Sequence, residues 1–267
     1  MSKDKLQIVD SMFSHAHSSS WYNHPTYFNW TREDYGDLVV FTDTSVNLID
    51  RVHKNKKYAW LIESPLVTSL HYNFIKNNFN RFDSIFTFDS ELLSLSPKFK
   101  FVPLGGCWIK EEDRLVHKKN SIVSTIVSSK KFLPGHQLRH DIVNKFSGID
   151  VFGSGYKPIE NKISGLKDYR FHIVVENCKK DYYFSEKLID CFITGTIPIY
   201  WGCPSIGDFF DIGGILSFDT LEELENILNN LSEELYLEKL QSINNNFIKS
   251  QDFIIADDIV YKKIKDD

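Results

Sequence analysis

The chain has 267 residues, 42% of them hydrophobic and 25% charged, with a formal net charge of −5. This composition excludes a disordered chain, and the length suits one large α/β domain or two domains of about 120 to 150 residues. The negative charge argues against a nucleic-acid partner. Because we find neither an apolar run of about 18 residues nor a basic segment followed by a long apolar one, we expect a soluble, cytoplasmic protein without a membrane span or signal peptide.

Short apolar runs alternate with helical patterns in the first half, which predicts βα units and a mostly parallel sheet. A helix is predicted from Val67 to Phe79. The predicted strands are Leu6 to Val9, Leu38 to Phe41, Tyr58 to Ile62, Ser84 to Phe88, and Phe99 to Val102.

The pattern breaks at Gly105 and Gly106, and a charged run from Lys110 to Lys119 follows, as is typical of a linker. We therefore predict two domains, residues 1–118 and 119–267. The second half restarts the alternation. Its predicted elements are strands Ile122 to Val127, Ile149 to Phe152, Phe171 to Val175, Ile197 to Trp201 and Ile215 to Phe218, with helices Gln137 to Phe146, Thr220 to Leu231 and Ser232 to Lys249.

A polar loop and a helix follow the strand that ends at Val175, and Ser185 is predicted to cap that helix. Lys187 then lies in the first turn, where it opposes the partial positive charge of the helix terminus. An anion such as phosphate, bound between the N–H groups and the ammonium, explains this placement. A solvated lysine paired with Glu186 is the alternative.

Two more residues occupy positions suited to chemistry. Arg139 lies on the helix after the first strand of the second half, where doubly wound domains bind phosphates, although a surface arginine fits as well. Glu63 ends the strand Tyr58 to Ile62 and precedes a Ser-Pro turn, which suits a general base. A helix-capping or merely exposed glutamate is the alternative.

The cysteines and histidines give no metal signal. No cysteine belongs to a C-x-x-C pair, so we expect free thiols, with a disulfide between Cys178 and Cys203 left open. His15 and His17 form a His-x-His sequence that lacks a third ligand at standard spacing, which favours a loop over a metal site.

The second half carries three motifs in order: Val175-Glu176-Asn177-Cys178, then Tyr183-Phe184-Ser185-Glu186-Lys187, then Ile197-Pro198-Ile199-Tyr200-Trp201-Gly202. Together they resemble the donor motif of the α-1,3/4-fucosyltransferases, inverting and metal-independent enzymes of glycosyltransferase family 10. Glu63-Ser64-Pro65 is similar to a Glu-Ser-Pro segment of the same family.

The resemblance implies a GT-B fold, in which two Rossmann-like doubly wound domains face an interdomain cleft. It implies transfer of L-fucose from GDP-fucose to a glycan hydroxyl, with no cofactor and no metal; the chain has no D-x-D sequence. A GT-B enzyme that uses another nucleotide sugar and a catalytically silent glycan-binding homologue are the alternatives.

The resemblance also implies roles for individual residues. Glu63 resembles the acceptor base, and Glu186 would contact the donor sugar, which makes these two the predicted catalytic residues. The predicted donor-binding residues are Arg139, Asn177, Tyr183, Glu186 and Lys187.

Overall fold

The protein is described by a computed structural model that covers residues 3–14 and 16–267, so His15 of the predicted His-x-His loop lies outside the described residues. The chain divides into two compact units. One comprises Met1–Gly106 with Ile255–Asp267, and the other comprises Cys107–Ile254.

The first unit is built on a parallel sheet with strand order β2-β1-β3-β4-β5-β6. Both faces of the sheet are covered by apolar side chains, which is why its strands read as continuous apolar runs. The strands are β1 (Asp4–Val9), β2 (Phe28–Thr31), β3 (Leu38–Thr42), β4 (Lys56–Trp60), β5 (Ser84–Thr87) and β6 (Phe99–Phe101). The α-helices that alternate with these strands are α1 (Ser69–Asn78) and α2 (Ser90–Leu95).

The second unit has its own parallel sheet, with strand order β11-β10-β9-β7-β8. Its central strand, β9, is buried along its whole length. The strands are β7 (Ser121–Ile126), β8 (Asp150–Phe152), β9 (Tyr169–Val175), β10 (Ile197–Trp201) and β11 (Leu216–Ser217). The helices are α3 (Pro134–Lys145), α4 (Glu186–Phe192), α5 (Leu221–Asn229), α6 (Glu233–Glu238) and α7 (Leu240–Ser250).

The C-terminal helix, α8 (Ala256–Asp266), belongs to the first unit, so the division differs from the predicted domains 1–118 and 119–267. The apolar face of α8 packs into the core of that unit. Its buried Asp257 accepts hydrogen bonds from Ser19 Oγ and Trp30 Nε1, each at 2.7 Å. These long-range contacts return the end of the chain to the first sheet. The other boundary falls at Gly106 and Cys107, before the charged run.

Local signals predicted most elements well. Helix α5 lies within the predicted Thr220 to Leu231, and Thr220 and Glu223 form a capping box at its start. The predicted helix from Ser232 to Lys249 is instead two helices, α6 and α7, which meet at Lys239. All four cysteines are buried and none forms a disulfide, so the alternative pairing of Cys178 with Cys203 is absent. Among the described residues, no helix is long and apolar enough to cross a membrane.

Candidate active site

A buried carboxylate organises the N-terminus of α4. Glu176, directly after β9, is fully buried and accepts hydrogen bonds from Ser185 N at 2.9 Å and Ser185 Oγ at 2.6 Å. Ser185 is the N-cap of α4, as predicted, and its Oγ accepts from the N–H of Lys187 at 3.4 Å. Gly202 leaves room for this arrangement, because a Cβ there would lie 2.6 Å from Glu176 Cγ. The loop before α4 is therefore tied to the end of the strand.

Lys187 lies in the first turn of α4 between two carboxylates. Its Nζ is 3.3 Å from Glu186 Oε1 and 3.8 Å from Glu176 Oε2, and it donates to Ser185 Oγ at 3.1 Å. The side chain is 28% exposed, so solvent or a ligand can reach it. Lys187 therefore pairs with Glu186, as in the alternative of a solvated lysine. Its position at a helix N-terminus also suits an anion.

Glu186 belongs to an ion-pair network that sequence analysis did not predict. Lys162 Nζ lies 3.0 Å from Glu186 Oε1 and 3.0 Å from Asp190 Oδ2. The same ammonium is 4.2 Å from the centre of the Trp108 ring, and Trp108 N donates to Asp190 Oδ1 at 2.7 Å. The network connects the N-terminal segment of the second unit, the loop before β9 and helix α4.

Burial and ion pairing act in opposite directions on these groups. Burial would raise the pKa of Glu186, but Lys162 and Lys187 outweigh it and hold that pKa below its ordinary value. Burial would likewise lower the pKa of Lys162, but Asp190 and Glu186 outweigh it and raise that pKa. Burial raises the pKa of Asp190, and Lys162 opposes the increase. Glu186 and Lys162 are therefore charged at neutral pH.

Arg139 projects from α3 toward the carboxyl end of β9. Its Nε donates to Val175 O at 3.0 Å, and its Nη2 donates to the same oxygen and to Asn177 Oδ1 at 3.1 Å. Burial lowers the pKa of Arg139, and Glu176 is the strongest of the groups that oppose this change. Because guanidinium stays protonated in proteins, Arg139 supplies a fixed positive charge.

The first turn of α3 packs closely against the end of β9. A Cβ at Gly135 would lie 1.7 Å from Glu176 O, so only glycine fits there, and Gly135 N donates to Asn177 O at 3.2 Å. The next residue, His136, is buried, and its Nδ1 has no hydrogen-bond partner among the described residues. An unpartnered buried polar atom costs about 1–3 kcal/mol, so its presence beside Arg139 is notable.

Tyr183 completes the predicted donor set. It is buried, and its side chain is close enough to Arg139 to favour the charged form of the guanidinium. The structure thus brings Arg139, Asn177, Tyr183, Glu186 and Lys187 together where β9 ends and α4 begins.

Glu63 belongs to the first unit and follows β4, which ends at Trp60, two residues earlier than the predicted strand. The N–H of Glu63 donates to Asp43 Oδ1 at 3.1 Å, and its carbonyl accepts from Tyr72 Oη at 2.9 Å. The same Asp43 carboxyl accepts from Ile62 N at 3.0 Å. Asp43 is fully buried and has a φ of +33°, which is uncommon for a residue other than glycine. The backbone on both sides of Glu63 is therefore held in place.

The segment after Glu63 contains several unpartnered polar atoms. Ser64 Oγ, Thr68 Oγ1 and His71 Nδ1 are buried and have no hydrogen-bond partner within the described part of the chain. Native proteins contain few such atoms, and they often mark places where water or ligand binds.

Sequence analysis missed three polar residues of this region. Lys162 and Asp190 carry no local signal, because their partners lie far away in sequence or on the buried face of a helix. Glu176 belongs to the first of the three motifs. Its position at the end of a buried strand was the signal that it has a specific role.

Part of the chain is similar in sequence to known proteins. Residues 116–238 match the family described as glycosyltransferase family 10 (fucosyltransferase), C-terminal part. Alpha-(1,3)-fucosyltransferase FucT of Helicobacter pylori is 33% identical over 93 residues, which are 33% of this chain and 19% of that protein. The aligned segment therefore spans about a fifth of this relative's length.

The fold is also similar to those of solved structures. The match to a crystal structure of alpha1,3-fucosyltransferase covers 94% of this chain and 89% of the other chain. Its TM-score is 0.60, and the sequence identity is 20%. For a crystal structure of alpha1,3-fucosyltransferase with GDP-fucose, the TM-score is 0.59 and the sequence identity is 19%. That match covers 94% of this chain and 90% of the other chain. At this identity the likeness concerns the fold.

The two parallel α/β units have the GT-B fold, as predicted. Residues 116–238 match the C-terminal part of glycosyltransferase family 10, in agreement with the family that the three motifs predict.

Proposed function

We propose that the protein is an inverting glycosyltransferase that transfers L-fucose from GDP-fucose to a hydroxyl of a glycan acceptor. The single observation that carries the proposal is the arrangement at the N-terminus of α4, where Lys187, Arg139 and the helix terminus lie within a family 10 domain. The relatives named for α-1,3-fucosyltransfer, and the related structure with GDP-fucose, support fucose as the sugar.

In this proposal the donor diphosphate binds at the N-terminus of α4. Lys187 is partly exposed there, and Arg139 contributes a fixed positive charge. Both charges stabilise the negative charge that develops on the nucleoside diphosphate as it leaves. Asn177 and Tyr183 line the donor pocket, and Glu186 contacts the donor sugar.

Glu63 is proposed as the general base. The acceptor oxygen attacks the anomeric carbon, the bond between that carbon and the phosphate oxygen breaks, and the acceptor proton passes to the Glu63 carboxylate. The sugar is transferred with inversion, and GDP leaves. The hydrogen bonds of the Glu63 backbone to Asp43 and Tyr72 support this role, because they hold the carboxylate's attachment point rigidly.

We further propose that the reaction needs no metal, because Arg139, Lys187 and the terminus of α4 supply the positive charge that a divalent ion supplies in other transferases. Activity should then survive EDTA. Turnover that stops on chelation and returns with manganese or magnesium contradicts this part of the proposal.

The main test is a donor panel with release of the nucleoside diphosphate as the readout. GDP-fucose, GDP-mannose, UDP-galactose and UDP-N-acetylglucosamine are incubated with the purified protein and a mixture of glycan acceptors. We expect turnover with GDP-fucose. Turnover with another donor alone supports the transferase and rejects fucose, whereas glycan binding without turnover of any donor supports the catalytically silent homologue.

A further inference from the structure

The feature that the proposed function leaves unexplained is His136, in the first turn of the 12-residue helix α3. The side chain is 4% exposed, and Nδ1 has no hydrogen-bond partner among the described residues. Its ring packs edge-on against the apolar ring of Phe132, with centroids 4.7 Å apart. A histidine retained for structure alone would be expected to use both ring nitrogens.

His140, one turn further along α3, provides that comparison. It is 7% exposed, its Nδ1 lies 2.8 Å from Tyr156 Oη, and its Nε2 lies 3.0 Å from Lys130 O. Two buried histidines on the same helix therefore differ in one respect. His140 is fully hydrogen-bonded, and His136 is not.

The surroundings of His136 favour an anion. Burial is the largest cause that lowers its pKa, to about 4, and positive charge adds to it from Arg139, Lys130 and Lys187, with a smaller effect from His140. These groups come from α3 itself, from the loop before it and from α4. The imidazole is therefore neutral at pH 7 while the site is empty, and it lies among cations at a helix N-terminus.

We propose that His136 is part of the donor-diphosphate site and that binding of a nucleoside diphosphate is coupled to protonation of its imidazole. The negative charge of the diphosphate offsets the surrounding cations, so the imidazole takes up one proton from solvent and donates an N–H to a phosphate oxygen. The inference rests on the proposed function, because it assumes that the diphosphate binds beside Arg139 and Lys187. It adds a third cationic contact that exists only in the bound state.

The sign of the pH dependence follows. Between pH 4 and the higher pKa of the bound state, the complex holds more protons than its separated components, so affinity for GDP falls as pH rises. The decrease approaches tenfold per pH unit where the imidazole is fully coupled.

The test is calorimetric titration of the full chain with GDP between pH 6 and 8, in pairs of buffers that differ in ionisation enthalpy, so that proton uptake is measured directly. We compare wild type, H136Q and H140Q. For each GDP bound, wild type and H140Q should take up more protons than H136Q, by a difference of up to about one proton. H136Q should bind GDP about 10- to 100-fold more weakly than wild type. The ionisation of GDP itself is common to all three proteins and cancels.

A second measurement needs no substitution that could impair folding. The ring C2–H resonance of His136 in the wild-type protein should move to the imidazolium position on addition of GDP at pH 7, and guanosine, which lacks phosphate, should leave it unchanged. If wild type binds GDP, the inference is overturned by equal proton uptake in wild type and H136Q, or by a His136 resonance that GDP does not move. Absence of any GDP binding by wild type rejects the proposed function, and this inference with it.

Discussion

Lys162 Nζ lies 3.0 Å from Glu186 Oε1, so it connects the 3₁₀ helix Lys162–Gly165 to the first turn of α4. The ammonium also pairs with buried Asp190, so one lysine is shared by two carboxylates. The orientation of Glu186, which we place at the donor sugar, therefore depends on a residue 24 positions earlier in the chain.

Lys162→Met should lower the free energy of unfolding by about 3 kcal/mol, because it leaves buried Asp190 without its cation and leaves Glu186 with Lys187 alone. Urea unfolding measures this loss. Lys167→Met, an exposed lysine in the same segment, should stay within about 0.5 kcal/mol of wild type. The double variant Lys162→Met/Asp190→Asn should recover part of the loss. No recovery would mean that the Asp190 charge is not the cause.

Lys187→Ala should weaken GDP binding by roughly 1.5–3 kcal/mol, because a charge-assisted contact to phosphate is removed. Arg139→Lys should also weaken it, since a lysine keeps the charge but cannot reproduce the contacts of Arg139 with Val175 and Asn177. Calorimetry with GDP provides the measurement. Lys179→Ala removes an exposed cation that pairs with Asp219 and should bind GDP like wild type. Unchanged affinity in both site variants contradicts the phosphate assignment.

Glu63→Gln should lower kcat by about 10²- to 10⁴-fold while GDP affinity stays nearly unchanged, because the amide keeps the shape of the side chain but accepts no proton. Initial rates at saturating acceptor measure the effect. Glu91→Gln, on the exposed side of the same unit, serves as control. Normal turnover in Glu63→Gln would remove this residue from the mechanism and direct attention to His71.

Asp43 should make the protein less stable as pH rises. Burial is the main cause that raises its pKa to about 8; the N–H groups of Ile62 and Glu63 oppose this change, and the Glu63 and Asp10 carboxylates add to it. The folded state therefore holds a proton that the unfolded chain releases above about pH 4. The stabilisation is full below that value, falls by up to about 1.4 kcal/mol per pH unit, and is lost near pH 8.

Asp43→Asn tests this prediction, because asparagine tolerates the positive φ and does not ionise. Urea unfolding at pH 5, 6, 7 and 8 should show the stability of the variant rising relative to wild type with each pH unit. The exposed Asp37→Asn should show a constant difference. A constant difference for Asp43→Asn as well would mean that its carboxyl ionises normally in the folded protein.

Lys119→Met should lower the free energy of unfolding by about 2–4 kcal/mol, because the buried ammonium serves several oxygen atoms that no other donor replaces. Its Nζ donates to Thr194 O and Thr196 Oγ1, each at 2.8 Å, and to Lys167 O at 3.2 Å. Thermal or urea unfolding checks the value. The exposed Lys118→Met is the matched control, and equal losses in both variants contradict the prediction.

The burial of Lys119 could not be predicted from the sequence. This lysine was the last residue of a charged run predicted to be a linker, yet it is buried beside β7. Strand β2 was missed for a similar reason, since it is four residues long and lies at the edge of the sheet within an aromatic segment. Neither feature has a periodicity that a local pattern can reveal.

The sequence by itself determined what depends on near neighbours in the chain. The unbroken apolar run of β9, the Ser185 cap and the capping box before α5 were readable because strand burial and helix capping act over a few residues. The family resemblance was readable for the same reason, since its motifs are short.

Only the tertiary structure decided the contacts that join distant segments. It placed Lys162 against Glu186, Glu176 beneath the cap of α4, and α8 in the first unit with Asp257 buried against Ser19. The physical reason is that a polar side chain is buried where partners from other elements satisfy its charge and hydrogen bonds, and the identity of those partners is not contained in the few residues on either side of it.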